Sequence, residues 1–204
     1  MVKLKICGLT RVADIAIANR VLPDYIGFVF AESRRKLSAA KAAGLAARLD
    51  PHIQKVGVFV NEEPAKIIDL CLEGIIDLVQ LHGDEDEIYL KRLKAQIANP
   101  VIKAMRVRTA AQIAAAAKLS CDFLLLDTYS LRQYGGSGKI FDWGLIPPVS
   151  KPFFLAGGLN ESNLLAALAA TRAYAVDLSS GVETGGLKDE AKIAQVAAIV
   201  RSVN

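Results

Sequence analysis

The sequence predicts an α/β fold: one (β/α)8 TIM barrel with eight parallel strands, forming a single domain over residues 1–204. Three observations predict it. Short β-branched, apolar runs alternate with Ala- and Leu-rich helical stretches. Hairpin signals between those runs are few, which favours a parallel sheet. The 204 residues also divide into eight units of about 25, near the lower size limit of the closed barrel. A doubly wound sheet would use five or six strands and leave the rest unassigned. No linker, low-complexity tract or composition shift divides the chain.

The first strand is Lys3–Cys7, and a helix follows over Arg11–Val21 with Thr10 at its N-cap. A side-chain oxygen there can accept a free backbone N–H. The second strand, Tyr25–Phe30, leads to a helix over Ala39–Leu49 capped by Ser38. The third, Lys55–Val60, leads to Pro64–Leu72, whose proline suits a first helical turn. The fourth, Leu78–His82, precedes a helix over Glu85–Ile97. Asp84, Glu85, Asp86 and Glu87 place negative charge where the helix dipole favours it. The fifth strand is Val101–Arg106, with a helix over Ala110–Lys118 capped by Thr109. The sixth is Phe123–Asp127. A polar segment, Thr128–Lys139, follows it, and only a short helix fits before Pro147-Pro148. In so short a chain, a loop of that size is expected to be functional. The seventh strand, Pro152–Ala156, leads to a helix over Ser162–Ala170. The eighth, Tyr174–Leu178, leads to Asp189–Val203.

Composition narrows the function. The chain is 52% hydrophobic and 23% charged, ordinary globular proportions. Mean hydropathy is +0.31, yet no apolar run approaches the roughly 18 residues of a membrane span. Met1–Cys7 enters strand alternation without a signal-peptide pattern. Cysteines 7, 71 and 121 lack metal-like spacing. A reduced, cytoplasmic setting is expected. Net charge is +4 and the pI is near 9.0, but Lys and Arg are scattered and aromatics are only 6%. That pattern argues against a nucleic-acid partner and fits a small anionic substrate. The oligomeric state stays open, with a monomer favoured.

Alternation assigns the two faces of each strand. With Leu4 and Ile6 towards the helices, Lys3, Lys5 and Cys7 face the barrel axis. Gln80 and His82, Leu125 and Asp127, and Ala175 and Asp177 are inward by the same rule. On the fifth strand, Ile102 and Ala104 outward would put Lys103 and Met105 inward. Cys7, His82, Asp127 and Asp177 stand out, because barrel active sites form at the C-terminal ends of the strands. Each has a bland alternative. A buried Cys is usually a small hydrophobe. An inward His is often only hydrogen-bonded in place. Asp177 could pair with Lys5 or Lys103. Asp127 is the strongest, since an unpaired inward carboxylate is costly. Cys71, Cys121 and Trp143 read as packing residues.

Two Gly-rich loops follow the last two strands, containing Gly157-Gly158 and Ser179-Ser180-Gly181. Glycine lets the backbone approach a phosphate closely, and barrel phosphate sites are built from the loops after strands seven and eight. Gly157, Gly158, Ser180 and Gly181 are therefore expected to bind phosphate, against the alternative of plain tight turns. Gly135-Gly136-Ser137-Gly138-Lys139 is no P-loop. Residue 133 is Gln where the first glycine belongs, and residue 140 is Ile.

The motifs Lys5-Ile6-Cys7-Gly8-Leu9-Thr10, Gly27-Phe28-Val29-Phe30, Val79-Gln80-Leu81-His82-Gly83, Leu125-Leu126-Asp127, Tyr134-Gly135-Gly136-Ser137-Gly138-Lys139, Ala156-Gly157-Gly158-Leu159 and Val176-Asp177-Leu178-Ser179-Ser180-Gly181-Val182-Glu183 occur in order along the whole chain. Together they resemble the phosphoribosylanthranilate isomerase family. The resemblance implies an Amadori rearrangement in tryptophan biosynthesis, turning N-(5-phosphoribosyl)anthranilate into 1-(2-carboxyphenylamino)-1-deoxyribulose 5-phosphate. It implies Cys7 as general base and Asp127 as general acid. His82 and Asp177 would bind substrate. Arg35 would contact the anthranilate end, with Arg34 as the alternative because that stretch is one residue short. Lys5 is a candidate for depressing the Cys7 thiol. No metal, redox cofactor or nucleotide is expected. Another phosphosugar isomerase, such as the histidine-pathway aminoaldose isomerase, resembles a pair of catalytic aspartates, and Cys7 argues against it. A non-catalytic phosphate-binding barrel would have lost the acid or the base.

Overall fold

The computed structural model describes residues 1–128 and 141–203. Eight parallel strands close into a barrel in sequence order, with the last hydrogen-bonded back to the first. They are β1 (Lys3–Cys7), β2 (Tyr25–Val29), β3 (Gln54–Phe59), β4 (Leu78–Leu81), β5 (Val101–Val107), β6 (Phe123–Thr128), β7 (Phe153–Leu155) and β8 (Ala175–Leu178). Around them lie α1 (Val12–Val21), α2 (Ala39–Ala46), α3 (Pro64–Leu72), α4 (Glu87–Lys94), α5 (Ala110–Ala116), α6 (Leu164–Ala170) and α7 (Glu190–Ser202). Among the described residues, the sixth unit has one 3-10 turn, Trp143–Leu145. Trp143 is half-buried and packs on the core. Most of the long polar segment after Asp127, including the Gly135–Lys139 run, lies outside the described residues.

The helix starts follow local chemistry. Ser38 accepts from Lys41 N and Thr109 from Gln112 N, as side-chain caps do. Gln112 answers Thr109 by accepting its backbone N–H, a reciprocal capping box. Pro64 occupies the first turn of α3. The expected Thr10 cap is not formed: Arg11 is the cap residue of α1. Buried Asp14 reaches back to accept the backbone N–H groups of Thr10 and Arg11, at 2.8 and 3.0 Å. A carboxylate three residues into the helix satisfies those donors better than one hydroxyl.

Two apolar layers result. The larger lies between the strands and the helices, and it takes in Ile6, Phe28, Leu81, Leu126 and Val176. The smaller fills the barrel and includes Tyr25, Val56, Leu78, Leu125, Phe154 and Ala175. Phe154 makes edge-on contacts with Tyr25, Phe123 and Tyr174 at centroid distances of 5.4, 5.7 and 5.7 Å. This aromatic plug fills the lower interior, so the polar cavity is confined to the other end.

The phase of β5 is the reverse of the one alternation suggested. Ile102 and Ala104 belong to the interior layer, while Met105 packs against the outer one. Lys103 also points outward. Its ammonium donates to Gly83 O and to the buried Glu85 carboxylate, both at 2.7 Å. In the run Val-Ile-Lys-Ala-Met, apolar residues stand at both parities, so the pattern could not choose a face. The acidic residue in the neighbouring loop chose it.

Candidate active site

The C-terminal ends of the strands surround one pocket. It is lined by Cys7, Arg35, Gln80, His82, Asp127, Gly157, Gly158, Asp177, Ser180 and Gly181, with Val29, Val58, Val60 and Ala156 among its apolar walls. All nine residues that the sequence marked for catalysis, substrate or phosphate therefore share one cavity.

Glycines opposite the reactive groups make it possible. Cys7 ends β1 in register with Gly27 on β2. A Cβ at Gly27 would lie 2.6 Å from Cys7 Sγ. Asp127 stands near the end of β6. A Cβ at Gly157, whose φ is +88°, would lie 2.3 Å from Thr128 Oγ1 and 2.8 Å from Asp127 Oδ1. At such a φ an L side chain is strained as well. Gly158 is also left-handed, at +69°. Gly181 has no room for a side chain, because its Cβ would come within 1.9 Å of Leu159 O. The two loops after β7 and β8 are thus packed backbone against backbone.

Asp127 Oδ1 accepts the Thr128 backbone N–H at 2.7 Å, and Oδ2 lies 3.3 Å from His82 Nε2. Gln80 Nε2 lies 3.0 Å from His82 Nδ1. Gln80, His82 and Asp127 thus form one chain of polar contacts along the pocket wall. Across the pocket, the fully buried Lys5 ammonium pairs with Asp177 Oδ2 at 2.9 Å. Asp177 therefore does pair with Lys5. Its Oδ1, together with Gln80 Oε1, has no hydrogen-bond partner among the described residues.

Burial pushes the Cys7 thiol above its ordinary value. The Lys5 ammonium pulls it down, Asp177 pushes it up and Lys188 pulls it down. Lys5 acts in the expected direction, but desolvation is larger. Of the two candidate arginines, Arg35 lines the pocket and Arg34 does not. Both reach the Glu183 carboxylate.

Sequence reasoning gave no role to Glu183 and did not single out Lys188. These stand at the two ends of a hairpin, β9 (Glu183–Thr184) and β10 (Leu187–Lys188). The signal was present in the two-residue Gly185-Gly186 turn, both members of which have positive φ.

A family model described as N-(5'phosphoribosyl)anthranilate (PRA) isomerase matches residues 4–198. An N-(5'-phosphoribosyl)anthranilate isomerase of Endomicrobium trichonymphae is 52% identical over 203 residues, covering all of both chains. The crystal structure of phosphoribosyl anthranilate isomerase from Thermus thermophilus superposes with a TM-score of 0.87 at 31% identity, covering 99% of this chain and 100% of that one. A further crystal structure, of a phosphoribosyl anthranilate isomerase in complex with reduced 1-(o-carboxyphenylamino)-1-deoxyribulose 5-phosphate, gives 0.82 at 33% identity, again covering 99% and 100%. The chain belongs to the N-(5'-phosphoribosyl)anthranilate isomerase family.

Proposed function

We propose that the chain converts N-(5-phosphoribosyl)anthranilate into 1-(2-carboxyphenylamino)-1-deoxyribulose 5-phosphate, with Asp127 as general acid and Cys7 as general base. One observation supports the reading. Cys7 and Asp127 stand at or next to the ends of strands that are not neighbours, β1 and β6, and both open onto one pocket that the Gly157-Gly158 and Ser180-Gly181 loops also enter.

The phosphate would sit on those two loops, where glycines let backbone N–H groups come close. Asp127 gives its proton to the furanose ring oxygen. The C1–O bond breaks, and the anthranilate nitrogen lone pair forms an iminium. The iminium acidifies the proton on C2. Cys7, as thiolate, takes that proton, and the electron pair left on C2 moves to give an aminoenol. The aminoenol tautomerises to the 2-keto product. Substrate and product are isomers, so Cys7 and Asp127 account for the ring-opening and C2 proton transfers. His82 Nε2 faces the carboxylate that Asp127 becomes after donation. Asp177 Oδ1 and Gln80 Oε1 offer acceptors to sugar hydroxyls. Arg35 would meet the anthranilate carboxylate.

The three cysteines are free. No helix among the described residues is long and apolar enough to cross a membrane. The free thiols support a cytoplasmic setting. The test of the reading is the loss of phosphoribosylanthranilate fluorescence on adding purified protein, with formation of the ketose confirmed by chromatographic comparison with authentic product. Turnover is expected. A protein that leaves the substrate unchanged would overturn the proposal.

A further inference from the structure

The hairpin from Glu183 to Lys188 does more than close a loop. Its register sets Lys188 opposite Glu183, so both side chains fall on one face. Lys188 is almost fully buried and donates to Glu183 Oε1 and to Ser179 O, each at 2.9 Å. On its other side, the Glu183 carboxylate receives Arg35 through two bonds, Nε to Oε1 at 2.9 Å and Nη2 to Oε2 at 3.0 Å. Arg34 Nη2 adds a third cation. One buried carboxylate thus holds three basic side chains, and of these only Arg35 lines the pocket.

The Arg35 stem is fixed as well. A Cβ at Gly8, whose φ is +84°, would lie 2.3 Å from Arg35 Cδ, so the arginine lies across the glycine next to Cys7. With Nε and Nη2 held by Glu183, Nη1 has no partner among the described residues. The guanidinium lines the pocket. An arginine loses considerable freedom when it binds a ligand, and a fork already locked by a second carboxylate loses little more.

We propose that Glu183 is the positioning residue for Arg35, and that the pair selects ligands carrying a carboxylate on the aryl group at the amino end of the substrate. This rests on the reading that Arg35 meets that carboxylate. Glu183 itself touches no reacting atom. It holds Arg35 in the bound arrangement before the ligand arrives, and its hairpin keeps it there through Lys188.

The experiment compares two ligands by calorimetry: the reduced product analogue with its ring carboxylate, and its counterpart with a bare phenyl ring. E183Q removes the charge and one of the two acceptors. It should weaken binding of the carboxylate ligand about tenfold, the scale of a lost charge-assisted hydrogen bond. Binding of the phenyl ligand should change less than about twofold, since no charged partner is lost there. E183D keeps the charge on a shorter arm and should show the same selective loss at reduced size. That variant decides the matter if E183Q does not fold. In steady-state assays E183Q should raise KM and leave kcat within a few-fold. R35A separates the two readings. If R35A loses the preference for the carboxylate ligand while folded E183D and E183Q keep it, Glu183 has no positioning role. If R35A keeps the preference, Arg35 is not the carboxylate contact. Equal losses for both ligands in the Glu183 variants would mark a general disturbance and overturn the proposal.

Discussion

The two ends of the barrel use the same residue types to opposite effect. At the N-terminal end, Asp24, Asp77 and Asp122 each stand one residue ahead of β2, β4 and β6. Each accepts a backbone N–H from the preceding strand: Leu4 at 2.8 Å, Lys55 at 2.7 Å and Val101 at 2.8 Å. Each is also paired with a lysine: Lys3, Lys55 and Lys94. At the C-terminal end, four polar atoms on strand ends are buried without a hydrogen bond among the described residues: Gln80 Oε1, His82 Nε2, Thr128 Oγ1 and Asp177 Oδ1. A buried polar group without a partner costs stability. These three floor carboxylates are satisfied internally, whereas the mouth leaves polar atoms open to a ligand. Stability and chemistry are thereby housed at opposite ends of the same strands.

That contrast can be broken most forcefully at the mouth. C7A and D127N should each lower turnover by about 10²-fold or more, as loss of a general acid or base does. Melting temperature should stay near that of the wild type. Near-normal turnover in either variant would remove that residue from its role, and a collapse of the fold would erase the division between the two ends. At the floor the expectation is reversed. D77A removes a backbone bond and a partly exposed ion pair, and should cost about 1–2 kcal/mol in denaturant unfolding. Turnover should not change. A drop in kcat instead would show that the floor is coupled to the chemistry.

Two smaller effects sharpen the electrostatics. Lys5 pulls the Cys7 thiol down against the larger push of burial. K5M should therefore raise that pKa further, moving the alkaline rise in both alkylation rate and kcat/KM to higher pH. The same thiol titration in K5M and wild type would remove Lys5 from the account. The smallest effect is expected at Glu87, at the half-buried start of α4. The Ser120 hydroxyl and backbone N–H draw its pKa from 4.5 to about 2. Because the folded value is the lower one, this contribution is complete above about 4.5 and is lost as pH falls towards 2. E87Q should flatten the stability profile across that window and lower neutral stability by the contribution lost there. An unchanged acid limb would show that the Ser120 contact does not hold in solution.

Strand order and most inward positions were legible because parallel strands, each followed by a helix, leave few topologies and a two-residue period. Cys7, His82, Asp127 and Asp177 each stood where an apolar interior has no use for them. Residues bound by long-range partners were not legible. Lys103 looks like an inward lysine until Glu85 is placed beside it. Glu183 and Lys188 read as polar loop until Gly185 and Gly186 fold them face to face and bring them to Arg35, about 150 residues away.

By itself the sequence determined the barrel, the Gly-rich loops after its last two strands, and the set of groups at the mouth. Each of these follows from local periodicity or local sterics. The tertiary structure decided the β5 face, the choice of Arg35 over Arg34 as the pocket residue, and the net upward push on the Cys7 thiol. Each of those is a balance between groups far apart in the chain. Charge and burial act through space, and they can be summed only once the strands are closed.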